Sequence, residues 1–138
     1  HFHHSPIQHE TFQVQQITKK VAMLKVYAGM DADLITSIGE NNYDGLILEG
    51  LGQGNVPPAI VPAIRQLLSQ NIYVVIVSRC YNGISQPVYG YEGGGKMLEE
   101  MGVIFAHGLN GQKARIKLLL TLSQSKISSD IPSLFLTY

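Results

Sequence analysis

Four short apolar runs, each followed by a segment with helical spacing, are the feature of this chain that most limits its fold. The apolar runs lie at residues 21–26, 44–48, 72–77 and 102–106. The helical patterns lie at residues 32–38, 58–70, 97–101 and 110–122, with a short last helix predicted near residue 130. Alternation of this kind predicts a parallel sheet with right-handed crossovers. We therefore predict an α/β domain, flavodoxin-like or Rossmann-like, with a four-stranded parallel sheet and helices on both faces.

Particular residues support the assignment of these elements. The third run is almost wholly apolar and β-branched, as a strand buried on both faces should be. Asp31 or Asp33 is available to cap the first helix, and Asn110 to cap the fourth. One face of the second helix is predicted to be buried, and its members are Ile60, Ile64, Leu67 and Leu68.

Charge and cysteine content favour some classes of protein over others. Ten basic residues balance ten acidic residues, so the charge gives no support to a nucleic-acid partner. No apolar run approaches the roughly 20 residues of a membrane span. Cys80 is the only cysteine, which excludes an internal disulfide and suits a reducing cytoplasm. No apolar signal segment is visible, and we expect a cytoplasmic protein without a membrane partner.

The N-terminal segment is rich in histidine. Four of the five histidines lie in the first nine residues, at His1, His3, His4 and His9. This spacing fits a metal site, but purification tails and inter-domain linkers have it too, and no acidic or cysteine cluster accompanies it. We predict that residues 1–19 are a linker or a tag-like segment, and we expect no metal and no cofactor.

A glycine-rich loop follows the second predicted strand. Gly50, Gly52 and Gly54 stand at alternate positions and precede Asn55, whose side chain can donate and accept hydrogen bonds. Glycines there let the backbone turn sharply, and the carboxyl edge of an α/β sheet is where ligands bind. The loop is neither a dinucleotide fingerprint nor a P-loop, and the prolines at 57–58 remove two donors from an anion site. A small-anion sensor, part of another active site and a plain turn all stay open on these residues.

The longest irregular segment, residues 78–95, follows the third predicted strand. An irregular connection of this length in a compact domain is usually functional or part of an interface. Cys80 could be a nucleophile with His107 as its base, but an inert thiol explains it more simply. Tyr89 and Tyr91 stand among glycines, where they could contact a substrate or a partner. No complete catalytic set is visible in the chain.

Several segments in order resemble one family. They are G-x-G-x-G-N-x-P at residues 50–57, S-x-C at 78–80, Y-x-G at 91–93 and L-N-x-Q-K-A-R at 109–115. In this combination they are similar to the C-terminal domain of bacterial L-asparaginases over roughly residues 20–122. The S-x-C and Y-x-G pattern looks more like the cytoplasmic type I branch than the secreted branch.

The resemblance implies a division of labour between two domains. In that family the nucleophilic threonine lies in an N-terminal domain, and no T-G-G-T-I or T-D-T stretch occurs here. Residues 20–138 are therefore expected to be the C-terminal domain, with the N-terminal catalytic domain absent and the fragment inactive. The implied reaction is hydrolysis of L-asparagine to L-aspartate and ammonia through an acyl-threonine. The implied assembly is a homodimer or homotetramer.

The resemblance also implies which residues serve the site. Asn55 matches the asparagine that reaches the substrate in a neighbouring subunit's active site, with Gly50, Gly52 and Gly54 shaping its loop. A second contributor is implied in the following segment, at Tyr89 or Tyr91, and both alignments stay open. Asparagine and glutamine both stay open as substrates. The alternatives are a stand-alone small-ligand sensor and the related amidase subunit of a tRNA-dependent amidotransferase.

Overall fold

In the part of the chain that the structure describes, four parallel strands form one sheet, and their order across the sheet follows their order along the chain. The computed structural model describes residue 14 and residues 16–78, 92–106, 108–124 and 131–135. The strands are β1 (Val21–Lys25), β2 (Gly45–Gly50), β3 (Tyr73–Ser78) and β4 (Ile104–Phe105). The helices are α1 (Asp33–Glu40), a 3-10 turn at Pro58–Ile60, α2 (Val61–Ser69), α3 (Gly95–Met101), α4 (Gly111–Leu122) and α5 (Ile131–Leu134). The predicted α/β architecture with four parallel strands is confirmed.

The alternation of side chains along each strand divides the core into two layers. Leu46 and Leu48 of β2 lie in one apolar cluster with residues of α1, α2 and α3. Ile47, between them, lies in the other cluster, which includes Leu118 of α4 and Phe135 just after α5. Successive side chains of a strand point to opposite faces, so helices cover both faces as predicted.

The helices start and pack largely as their sequences predict. Ile60, Ile64 and Leu67 are fully buried, and Leu68 is half-buried. Asn110 is the N-cap of α4, and its Oδ1 accepts a hydrogen bond from the Lys113 N–H at 2.8 Å. The N-cap of α1 is Ala32 rather than an aspartate, although Asp31 Oδ1 accepts from the Asp33 N–H at 3.0 Å.

The fourth strand is shorter than the sequence predicts. Gly102 ends α3 with a φ of +109°, and its N–H donates to the Glu99 carbonyl at 3.0 Å. The Val103 N–H then donates to the Leu98 carbonyl at 3.0 Å. These two bonds form a helix C-cap, so the strand begins only at Ile104.

Among the described strands, β1 has a neighbour on one side only. The Gly45 N–H donates to the Lys20 carbonyl and the Val26 N–H donates to the Glu49 carbonyl, so alternate groups of β1 face β2. The Val21 carbonyl faces the other way and accepts from Nε of Arg115 at 2.8 Å. Within the described part of the chain, no helix is both long and apolar enough to cross a membrane.

Candidate functional site

The carboxyl ends of β2 and β3 meet at one point of the sheet edge. Gly50 is the last residue of β2 and is paired in register with Ser78, the last residue of β3. The glycine-rich loop leaves the sheet here, beside the last residue of β3. Loops at the carboxyl ends of parallel strands are where α/β domains bind ligands.

The glycine-rich loop is a closed turn held by its own backbone. The Leu51 carbonyl accepts from the Gly54 N–H at 2.8 Å and from the Asn55 N–H at 2.7 Å. The Leu51 N–H in turn donates to the Asn55 carbonyl at 2.8 Å. These three bonds fix Asn55 opposite Leu51, directly beyond the end of β2.

The glycines of the turn are also packed against the sheet. Gly54 has a φ of +115°, and a Cβ on it would lie 3.0 Å from Phe105 Cε1 and 3.1 Å from Ile76 Cγ2. A Cβ on Gly50 would lie 2.8 Å from the Gly54 Cα, and Gly52 has a φ of +50°. A loop-shaping role requires such geometry, and that role stays a prediction for the three glycines.

The side-chain amide of Asn55 lies at this edge of the sheet. The residue is half-buried, and its side chain forms no hydrogen bond to another of the described residues. Its Nδ2 lies 3.6 Å from the place where a Cβ on Gly52 would stand. A held backbone with an open amide can bind a carboxylate or an ammonium group without adding charge.

Two further hydrogen bonds tie the turn to its neighbours, and sequence reasoning did not find them. The Ser78 hydroxyl donates to the Gly52 carbonyl at 2.7 Å. The Val56 N–H donates to the Gly93 carbonyl at 2.9 Å. Gly93 has a φ of +82°, and a Cβ on it would overlap the Val56 carbonyl oxygen. The first bond depends on the register that places Ser78 opposite Gly50, and no local sequence pattern signals it.

Four backbone donors of the turn are engaged within the protein. The N–H groups of Leu51, Gly54, Asn55 and Val56 all donate to backbone carbonyls. The two residues that follow are prolines, which have no N–H. An anion cradle needs several free N–H groups pointing at the ligand, and these positions do not supply them.

One more polar side chain lies at this edge, at the start of α4. Oε1 of Glu49 lies 2.8 Å from the place where a Cβ on Gly111 would stand, and Sδ of Met23 lies 2.7 Å from it. A carboxylate near the first turn of a helix interacts favourably with the helix dipole. Glu49 therefore supports the docking of α4 beside Asn110, its capping residue.

Several residues singled out in the sequence lie outside the described residues. They are Tyr89, Tyr91, Cys80, His107 and the four histidines of the N-terminal segment. Within the described ranges, no group of three histidine, cysteine or acidic side chains could hold a metal ion.

Comparisons with known proteins agree on one family. A sequence profile described as "Glutaminase/Asparaginase C-terminal domain" matches residues 20–135. A probable L-asparaginase of Deinococcus radiodurans is 36% identical over 98% of this chain and 41% of its own length. An L-asparaginase of Bacillus licheniformis is 32% identical over 87% of this chain and 37% of its own length.

A second kind of relative has the same domain. A glutamyl-tRNA(Gln) amidotransferase subunit of Pyrococcus furiosus is 30% identical over 93% of this chain and 29% of its own length. The chain thus spans well under half of the length of each of these three relatives.

Proposed function

Because the chain belongs to the glutaminase/asparaginase C-terminal domain family, we propose that it is the C-terminal domain of an L-asparaginase. The complete enzyme would hydrolyse L-asparagine to L-aspartate and ammonia. The observation that carries this proposal is the family match over residues 20–135, together with relatives named L-asparaginase.

The chemistry is assigned to a threonine in an N-terminal domain that this chain does not include. The threonine hydroxyl attacks the side-chain amide, its proton passes to the leaving group, and ammonia departs to leave an ester. Water then cleaves that ester, which releases aspartate and restores the hydroxyl. This domain contributes no nucleophile, and its role is to position the substrate.

Asn55 is the residue we assign to that positioning role in a neighbouring subunit. Its backbone is held on both sides of the turn, and its amide has no partner among the described residues. A rigid donor and acceptor of this kind can fix the carboxylate or ammonium of an amino acid, and such orientation changes rates by orders of magnitude. Tyr89 or Tyr91 is the second contributor in the proposal. The assembly it requires is a homodimer, alone or paired as a homotetramer.

The proposal is tested by comparing the 138-residue chain with the full-length protein. The full-length protein should release aspartate, and the isolated chain should release none because the nucleophile lies elsewhere. In the full-length protein, Asn55→Ala should lower kcat/KM by about 10-fold or more, or roughly 1–3 kcal/mol of lost positioning. Gln53→Ala, an exposed neighbour in the same turn, is the matched control and should leave kcat/KM within about twofold.

Two outcomes would count against the proposal. Aspartate release by the isolated chain would show that the nucleophile is within these residues. An unchanged kcat/KM for Asn55→Ala would remove Asn55 from the site.

An amidotransferase component is the second candidate, because the relative from Pyrococcus furiosus matches most of the chain. It predicts that the full-length protein hydrolyses free asparagine slowly and acts chiefly with a second protein and charged tRNA. Steady-state assays with and without these partners separate the two. The L-asparaginase relatives align with a larger share of their own length, which favours the first candidate.

A stand-alone anion sensor receives less support from the geometry. Four N–H groups of the turn are already bonded to backbone carbonyls. An anion bound there would have to displace these bonds.

A further inference from the structure

The turn that carries Asn55 is fastened on two sides to the flanks of segment 79–91. On one side, the Ser78 hydroxyl donates to the Gly52 carbonyl at 2.7 Å. On the other side, the Val56 N–H donates to the Gly93 carbonyl at 2.9 Å. Ser78 directly precedes the segment that carries the tyrosines, and Gly93 follows it after one intervening residue.

Ser78 is well placed to hold the turn rigidly. It is the last residue of β3 and is paired with Gly50 in the sheet, so its backbone does not move independently of β2. Its neighbour Val77 is fully buried, and Ser78 itself is half-buried. A serine side chain has one rotatable carbon–carbon bond, so a hydroxyl on this fixed backbone gives a short and well-defined bond.

Gly52 connects Ser78 to Asn55. Its carbonyl accepts the Ser78 hydroxyl, and its Cα faces the Asn55 amide, with 3.6 Å between Nδ2 and the position of a Cβ on Gly52. With a φ of +50°, the Gly52 peptide is in a conformation that a glycine leaves at little cost. An external bond to this peptide therefore limits how far the Asn55 amide can shift.

We propose that Ser78 is a positioning residue, whose hydroxyl holds the Gly52 carbonyl so that the Asn55 amide stands ready for substrate. This inference rests on the proposed function, because it gives Ser78 a task only if Asn55 contacts the substrate. Ser78 does not itself touch the reacting atoms.

A double-mutant cycle in the full-length protein tests the proposal. Ser78→Ala should lower kcat/KM by about five- to thirtyfold, and Ser78→Thr, which keeps the hydroxyl, should recover it to within about threefold of the wild type. In the Asn55→Ala background, Ser78→Ala should change kcat/KM by less than about twofold, because the group it positions is gone.

Ser69→Ala is the matched control. Its hydroxyl donates to the Gln66 carbonyl at 2.7 Å, the same kind of bond at the same length, at the end of α2. Ser69→Ala should leave kcat/KM within about twofold of the wild-type value, because Ser69 lies at the opposite edge of the sheet from Asn55. Equal losses for Ser78→Ala in both backgrounds, or no loss while Asn55→Ala is impaired, would overturn the proposal.

Hydrogen exchange of the full-length protein separates the failure of this inference from the failure of the function. Amides of residues 50–56 should exchange about tenfold faster in Ser78→Ala and at the wild-type rate in Ser69→Ala. If the wild type releases no aspartate, the proposed function fails. If the amides of residues 50–56 also exchange at the wild-type rate in Ser78→Ala, the role of Ser78 in holding the turn is overturned as well. Faster exchange without loss of activity would show that Ser78 holds the turn but positions nothing for catalysis.

Discussion

The two edges of the sheet use the same backbone conformation under different constraints. At the amino edge, Asn71 has a φ of 61° and Gly102 a φ of +109°; both are exposed, and nothing lies within 4 Å of a Cβ placed on Gly102. At the carboxyl edge, Gly54 and Gly93 have φ values of +115° and +82°, and a Cβ on either would meet neighbouring atoms at 3.1 Å or less.

The difference separates two reasons for a glycine. At positions 71 and 102 the chain only needs a residue that tolerates positive φ, and at position 71 an asparagine meets that need. At Gly54 and Gly93 it also needs the absence of a side chain, because Phe105 and Ile76 pack against the first and the Val56 backbone packs against the second. The part of the carboxyl edge around Asn55 is thus closely packed, as a site that presents one residue in a fixed place requires.

Gly93→Ala should have the largest effect. Its Cβ would overlap the Val56 carbonyl oxygen, and Val56 is itself bonded to the Gly93 carbonyl, so neither residue can move without breaking that bond. We expect a loss of about 3 kcal/mol or more in the free energy of unfolding, measured by urea denaturation. A loss below about 1 kcal/mol would mean that this contact is not part of the folded state.

Gly54→Ala should come next. A new Cβ would lie 3.0 Å from Phe105 and 3.1 Å from Ile76, and both side chains are buried with little room to yield. The strain of positive φ and the overpacking together should cost about 2–3 kcal/mol in the same measurement.

Gly102→Ala should have the smallest effect and is the matched control for Gly54→Ala. The two glycines have nearly the same φ, but a Cβ on Gly102 meets nothing within 4 Å. The only cost should be the strain of an alanine at positive φ, which lowers the free energy of unfolding by about 1 kcal/mol. If the two variants lost equal stability, the closer packing around Gly54 would contribute nothing to the free energy of unfolding.

The fold was predictable from the sequence because its signals are local. The apolar run at 72–77 has the composition of a buried strand, and Asn110 has the residue type and place of an N-cap, which its bond to Lys113 confirms. The shorter β4 was missed because the C-cap bonds of Gly102 and Val103 compete with the strand for the same residues.

The site was only partly predictable. The glycines and Asn55 could be placed at the carboxyl edge, since they follow an apolar run in a βα unit. The bond from Ser78 to Gly52 joins residues 26 positions apart, so it depends on the register of β2 and β3, which no local pattern encodes. The glycine motif left open an anion sensor, part of another active site and a plain turn, and the four engaged N–H groups add to the prolines as evidence against a bound anion.

The bond between Arg115 and the Val21 carbonyl has a consequence for the behaviour of the protein at high concentration. An unpaired strand edge is a template on which another copy of the chain can add a strand. Here an incoming strand would have to displace a guanidinium group from the first outward carbonyl of β1 and then pass the exposed Lys25 at its other end. Cationic groups at both ends of β1 therefore make the addition of another strand along this edge unfavourable.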